Sequence, residues 1–241
     1  MSEQPHTIAS KPRFQWGNLL LAAVLIVTLA AGAYLRLVGV NWDEDQHLHP
    51  DERFLSTVQS HIIPLENDGY FDTANSTLNP GNVGHSFFVY GTLPIFLVRY
   101  LGEALGQNNY NTITVLGRQV SAVFDVMTIL LVFLIGKRLY NKWAGLLGAV
   151  FYALAVLPIQ LSHFATVDAI TNTFAYLTVY AGVWALKRKS SEPGYDSEGV
   201  EQEKGKRIFR NLTPYILFGV ALGALYQCPL LLPIGHLDVE D

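Results

Sequence analysis

Residues 16–40 read WGNLLLAAVLIVTLAAGAYLRLVGV, an apolar run with Arg36 as its only charged residue. As a helix it extends roughly 36 Å, enough to cross the hydrocarbon core of a bilayer with some tilt. The run exceeds the roughly 7–15 residues of a signal-peptide core, and no small-residue cleavage site precedes the acidic stretch beyond it, so it reads as a retained anchor. Directly after it stand His47-Leu48-His49-Pro50-Asp51-Glu52-Arg53. A dense cluster of carboxylates and imidazoles where the chain leaves the lipid points to chemistry at a membrane surface.

Of the 241 residues, 50% are hydrophobic and 15% charged, and the mean hydropathy is +0.25. That balance predicts an all-α, polytopic transmembrane bundle rather than a soluble domain. The single cysteine, Cys228, excludes an internal disulfide and a cysteine metal cluster. The basic residues fall in short clusters beside apolar runs, which excludes a broad nucleic-acid patch.

Further apolar runs lie at 87–101, 119–136, 143–161, 169–186 and 213–226. The first of these has Pro94 at its middle and carries Arg99. Lys11 and Arg13 place residues 1–15 in the cytoplasm. If 87–101 crossed, Lys137, Arg138, Lys142 and Lys187-Arg188-Lys189 would all fall outside. If it lies on the surface, they move to the cytoplasm together with Lys204, Lys206, Arg207 and Arg210. The second arrangement is adopted, with an interfacial helix near 87–103 inside a long first outer loop at 41–118.

The predicted spans are therefore 16–40, 119–136, 143–161, 169–186 and an incomplete 213–226. A second outer loop lies at 162–168 and a cytoplasmic loop at 187–212. Segment 190–207, rich in Ser, Glu, Gly and Lys, reads as a linker. No internal repeat is evident. Two prolines, Pro229 and Pro233, break the last run before an atypical polar tail within 227–241.

This topology gathers Asp51, Glu52 and Asp168 on one side of the membrane. Two carboxylate centres facing one cavity suit a general base and a site that orients a cation or a phosphate-bearing substrate. The plainer readings are a solvated Asp-Glu pair and an N-terminal helix cap at Asp168. Asp125 lies deep in the predicted second span, where a carboxylate needs a partner. Arg118, seven positions earlier on the same face, is the expected one. Arg118 and Arg99 are also the cations placed to grip a lipid phosphate, or to snorkel toward headgroups. His47 and His49 alternate, a spacing that suits no standard zinc site.

Taken in order, Pro50-Asp51-Glu52-Arg53-Phe54, Phe87-Phe88-Val89-Tyr90-Gly91-Thr92-Leu93-Pro94, Gly117-Arg118-Gln119-Val120-Ser121 and His163-Phe164-Ala165-Thr166-Val167-Asp168 resemble the N-terminal part of the GT-C membrane glycosyltransferases. The likeness is to the protein mannosyltransferase and aminoarabinose transferase group, the phospholipid-carrier-dependent glycosyltransferases. The resemblance implies a multi-pass cell-membrane enzyme with an extracytoplasmic active face. It would move a sugar from a polyprenyl-phosphate carrier to a lipid, protein or glycan acceptor.

It further implies that Asp51 is the catalytic or substrate-orienting acidic residue, with Glu52 beside it. Arg118, Arg99, His163 and Tyr90 are then the substrate contacts, and Asp168 the place where a divalent cation (Mg or Mn) or the donor is met. Such enzymes carry many more spanning helices, so the chain is expected to be a fragment, whose activity alone is in question. Two other readings compete. A cation path would need charges deep in the third and fourth spans, and 143–162 and 169–186 contain none. A non-catalytic membrane fragment would bind partner helices through Gly145, Gly148 and Ala149.

Overall fold

A computed structural model describes residues 16–64, 72–189 and 201–228, without the side chains of 188–189 and 201–211. The expected linker core, the basic side chains of 204–210, the N-terminal Lys11 and Arg13, and the tail from 229 onward lie outside these described residues. In chain order the helices are α1 Trp16–Leu37, α2 Pro50–His61, a 3-10 turn Pro80–Val83, α3 Thr92–Leu105, α4 Tyr110–Leu139, α5 Lys142–Leu154, α6 Val156–Ser162, α7 Asp168–Lys189 and α8 Glu201–Tyr226. Among the described residues there is no strand, so the all-α reading holds.

α1 and α4 are long and apolar enough to cross a membrane, and α5 with α6 is a third candidate if the bent pair counts as one span. α1 presents Leu19, Leu20, Ile26 and Val27 outward, as a lipid-facing helix would. α7 reaches the length but carries Thr171, Asn172, Thr173 and Thr178, and the apolar part of α8 is only Leu212–Tyr226. Among the described residues, length and composition alone thus pick out two or three candidate spans.

Three boundaries differ from the sequence reading, each for a local reason. α3 starts at Thr92 rather than near 87. Gly91 is extended, and Pro94 sits in the first turn, where its missing N–H has no helical acceptor to lose. α3 then extends roughly 21 Å, short of a bilayer core. α4 starts at Tyr110, because Asn109 Oδ1 accepts the Thr112 N–H and nucleates an earlier turn. Arg118 therefore lies inside a helix and not in the loop before it. The expected span 143–161 is broken at Ala155 by 58°. Pro158 cannot donate to the Leu154 carbonyl and its ring excludes it, so the helix ends and restarts.

The break is sealed from α1. Arg36 is fully buried and donates to the carbonyls of Ala153 at 3.0 Å and Tyr152 at 3.4 Å, two acceptors in the last turn of α5. Its Nε also pairs with Asp125. Asp125 accepts the Tyr152 hydroxyl at 2.7 Å, and that oxygen accepts the Asn172 amide at 2.8 Å. The partner of Asp125 is thus Arg36, not Arg118. A seven-residue spacing put Arg118 on the right face, but a residue distant in sequence came closer. Tyr152→Phe removes one buried hydrogen bond and leaves Asn172 without its acceptor, and is expected to cost about 1–3 kcal/mol in thermal unfolding.

The ends of the helices gather into two groups. The end of α1, the start of α2, the start of α4 and the α6–α7 loop meet at Arg118, which contacts Val40, Asp43 and Glu52. At the opposite end Lys142 bonds Asn18 at 2.6 Å and Lys187 bonds the Leu139 carbonyl at 3.1 Å. A single crossing by α3 is incompatible with the contact between Glu52 and Arg118. α8 returns to the Arg118 end, where the Gln227 carbonyl lies so close to Gly91 that a side chain there would collide with it.

The small residues of α5 are used internally rather than kept for a partner. Gly145 abuts Gly136 and the Phe133 carbonyl, Gly148 rests on Val132, and Ala149 is fully buried. Gly145→Ala drives a methyl into backbone that cannot move aside. A loss of about 1–3 kcal/mol is expected, read as a lower melting temperature.

Candidate functional site

Adjacent residues on a helix point about 100° apart, so Asp51 and Glu52 at the start of α2 go separate ways. Glu52 turns inward and is fully buried. It takes Arg118 Nε on one oxygen and Nη2 on the other, both at 2.7 Å. Arg118 spends its remaining N–H groups on Asp43, at 2.9 and 2.8 Å, and on the Val40 carbonyl at 3.1 Å. Its guanidinium carbon lies 5.4 Å from the centre of the Trp42 ring. One cation serves two carboxylates in bidentate geometry, the strongest form of the pair.

The loop that delivers Asp43 is strained. Glu44, Asp45 and His47 have φ of 48°, 65° and 50°, a region non-glycine residues avoid at roughly 1–3 kcal/mol each. The bonds to Asp43 hold it, with the Leu48 N–H donating to the same carboxylate at 3.3 Å. His47 packs its ring on Tyr110 and bonds Asn111 at 3.0 Å. Arg118 keeps the Asp43 carboxyl below its ordinary range through the hydrogen bonds it donates, against the opposing effect of burial.

Glu52 also accepts the Ala165 N–H at 2.7 Å, which ties α2 to the loop that opens α7. That loop is held from α1 as well. Trp42 Nε1 donates to the His163 carbonyl at 3.2 Å, and the His163 ring reaches the carbonyls of Ile159 and Val38 at 2.8 and 2.9 Å. His163 is thereby a strut between α6 and the end of α1. His49 caps α2, accepting the Glu52 N–H at 3.3 Å, and lies on Phe164 with ring centres 4.5 Å apart.

Asp51 turns outward and is exposed. Its Oδ1 accepts the Tyr90 hydroxyl at 3.0 Å. The hydroxyl proton is held above its usual range, first by burial, then by the bond to Asp51, and further by the negative charges of Asp51 and Asp168. Asp168, the first residue of α7, accepts the Thr166 hydroxyl at 2.7 Å. Asp51 thus bonds the Tyr90 hydroxyl, and the charge of Asp168 acts on the same group from the start of α7. Tyr90 is aimed by the alternation of an extended segment. Phe88 and Tyr90 pack on Phe54, while Phe87 and Val89 face outward.

Arg99 does not join this group. It pairs with Glu103 at 3.1 Å and donates to the Asn108 carbonyl at 3.2 Å. Among the described residues no three of His, Cys, Asp or Glu are grouped as metal ligands. The chemistry below is built on the side chains themselves.

The sequence did not single out Asp43, Trp42, Arg36 or Tyr152. Asp43 stands beside two other loop acids, Glu44 and Asp45, and Arg36 is a lone charge near the end of an apolar run, so no local pattern marks either. A second overlooked contact joins His61 at the end of α2 to His85. Their nitrogens are 3.0 Å apart and the rings stack at 5.1 Å, with Phe54 edge-on. Burial, and then the neighbouring His61, lower the His85 pKa. A histidine with a depressed folded value stabilises the fold fully above about pH 6.5 and loses that contribution as pH falls through the folded value. Hydrogen-exchange protection factors at 84–88 are expected to fall below pH 6, and His85→Gln to remove that dependence.

With the geometry in place, the comparisons with known proteins acquire a location. Residues 109–195 match the family model of dolichyl-phosphate-mannose-protein mannosyltransferases. The match begins at the Asn109 cap of α4 and runs through α7, so it includes Arg118, Asp125, the His163 strut and Asp168. The mannosyltransferase-like segment is thus the half of the site that receives α2. The sequence resemblance to a GT-C membrane glycosyltransferase rests there. No curated protein and no solved structure matches the chain.

Proposed function

We propose that the chain carries the outer-face site of a membrane glycosyltransferase that uses a sugar on a polyprenyl-phosphate carrier. The observation that supports it most is the exposed Asp51 bonded to the Tyr90 hydroxyl, on the α2 that Glu52 ties to Arg118 and Ala165 inside the segment that matches the mannosyltransferase family. Asp51, exposed and oriented by Tyr90, takes the proton of an acceptor hydroxyl. The acceptor oxygen bonds to the anomeric carbon as the bond from that carbon to the phosphate oxygen breaks on the opposite face. Polyprenyl phosphate leaves and the configuration inverts. The leaving group is a good one, so positioning and charge neutralisation carry most of the rate.

Glu52 and Arg118 act behind this step as positioning residues. Arg118 already faces two carboxylates, so its role is to hold α2 against the α6–α7 loop. The reading is tested by incubating the membrane-reconstituted chain, or the longer protein that contains it, with a radiolabelled polyprenyl-phosphate sugar and membrane acceptors. Label in the acceptor supports the reading. Failure to bind the donor and failure to transfer it, in both forms, would reject it.

A further inference from the structure

Among the described side chains, the end of the bundle opposite Asp51 carries several cations and no carboxylate. Segments 16–42, 126–167 and 169–187 contain no Asp or Glu. Arg138, in the last turn of α4, lies 5.1 Å from the ring centre of Tyr180 and 4.9 Å from that of Trp184, both on α7. Its Nη2 donates to the Tyr180 hydroxyl at 3.1 Å. Nε and Nη1 donate to no described residue. Lys137 is exposed, with its ammonium 5.9 Å from the Phe133 ring centre. Lys142 bonds Asn18 and lies 5.7 Å from the Trp143 ring centre. None of these three cations has a carboxylate partner among the described residues.

A guanidinium already held by two rings loses little freedom on binding, and its open N–H pair matches the spacing of two phosphate oxygens. The surroundings specify where that phosphate comes from. Leu139, Tyr140 and Trp143 are exposed beside the cations, Tyr140 at 79%. Apolar and aromatic side chains in that position suit the headgroup depth of a bilayer rather than open water.

We infer that this end binds the phosphate of an anionic phospholipid in the adjacent leaflet, with Arg138 as the fork and Lys137 and Lys142 as flanking charges. The inference stands apart from the glycosyl-transfer reading. Several basic residues near an anionic surface, each contributing favourably, set the scale of the expected selectivity.

Native mass spectrometry of the purified full chain, titrated with phosphatidylglycerol and phosphatidylcholine of equal acyl length, tests it. Phosphatidylglycerol is expected to be retained about tenfold more strongly. Arg138→Gln should bring the two lipids within about twofold, and Arg138→Lys should keep the charge but recover only part of the difference. Equal retention by the unaltered chain, or full selectivity in Arg138→Gln, would overturn the inference. Equal retention is also the result expected if carboxylates of this chain, such as Glu201 or Glu203, occupy the cations. A measurement on the unaltered chain does not depend on a variant folding. Brominated phosphatidylglycerol should quench tryptophan emission more than brominated phosphatidylcholine at the same mole fraction, and equal quenching would again overturn it.

Discussion

Asp51→Asn is expected to reduce sugar transfer by about 10²–10⁴-fold while leaving the melting temperature unchanged. The asparagine side chain keeps the volume of the carboxylate and still accepts the Tyr90 hydroxyl, whose 3.0 Å bond is the only side-chain contact Asp51 makes among the described residues. What it loses is the ability to take a proton. Because Asp51 is exposed, no buried partner is orphaned and stability should not move. Tyr90→Phe separates orientation from proton transfer. It removes the positioning bond but leaves the base, so a loss of about tenfold or less is expected. Transfer assays with a polyprenyl-phosphate sugar, run beside thermal unfolding of the same preparations, check both. Full activity in Asp51→Asn would remove the residue from the mechanism.

The largest stability effect is expected at Arg118. Arg118→Met leaves Asp43 and Glu52, both nearly or fully buried, facing each other without a cation. Breaking a buried pair in this way costs about 3–5 kcal/mol, a large share of the 5–15 kcal/mol that holds a typical domain together. Adding Asp43→Asn and Glu52→Gln to Arg118→Met should recover much of the loss, because it removes the unpaired charges. A merely bulky role for Arg118 predicts no such recovery. The Asp43 carboxyl gives the pH signature. Its folded pKa lies below its ordinary value, so its contribution is complete above about pH 4 and is lost as pH falls through the folded value. Arg118→Met should reverse that acid dependence in an unfolding series, because protonation then relieves the unpaired buried carboxylates.

Much of this was legible in the sequence because it depends on local pattern and on charge. The length of 16–40 and the segregation of basic clusters are properties of the chain itself, and the structure sorts Asn18, Lys142 and Lys187 to one end and Asp43, Glu52 and Arg118 to the other. The likeness carried by Arg118, His163 and Asp168 falls inside the matched segment 109–195. Helix boundaries were less legible. Pro94 reads as an interruption until its place in the first turn is known, and Pro158 lies inside an apolar run whose hydropathy gives no hint of a 58° bend.

Pairings were the least legible. Arg36 and Asp125 are 89 positions apart, and Glu52 and Arg118 are 66 apart. Nothing local tells Glu52, which turns into the protein, from Asp51, which turns out of it. The 100° between neighbours on α2 decides that, and only once the buried face is known.

The central claim is that Asp51 and Asp168 open on one face of the membrane, away from Lys142. Single-cysteine variants Asp51→Cys, Asp168→Cys and Lys142→Cys, each with Cys228→Ala, can be probed in sealed vesicles with a membrane-impermeant maleimide. Positions 51 and 168 are expected to label from the same side and position 142 from the other. Labelling of 51 and 168 from opposite sides would contradict the account.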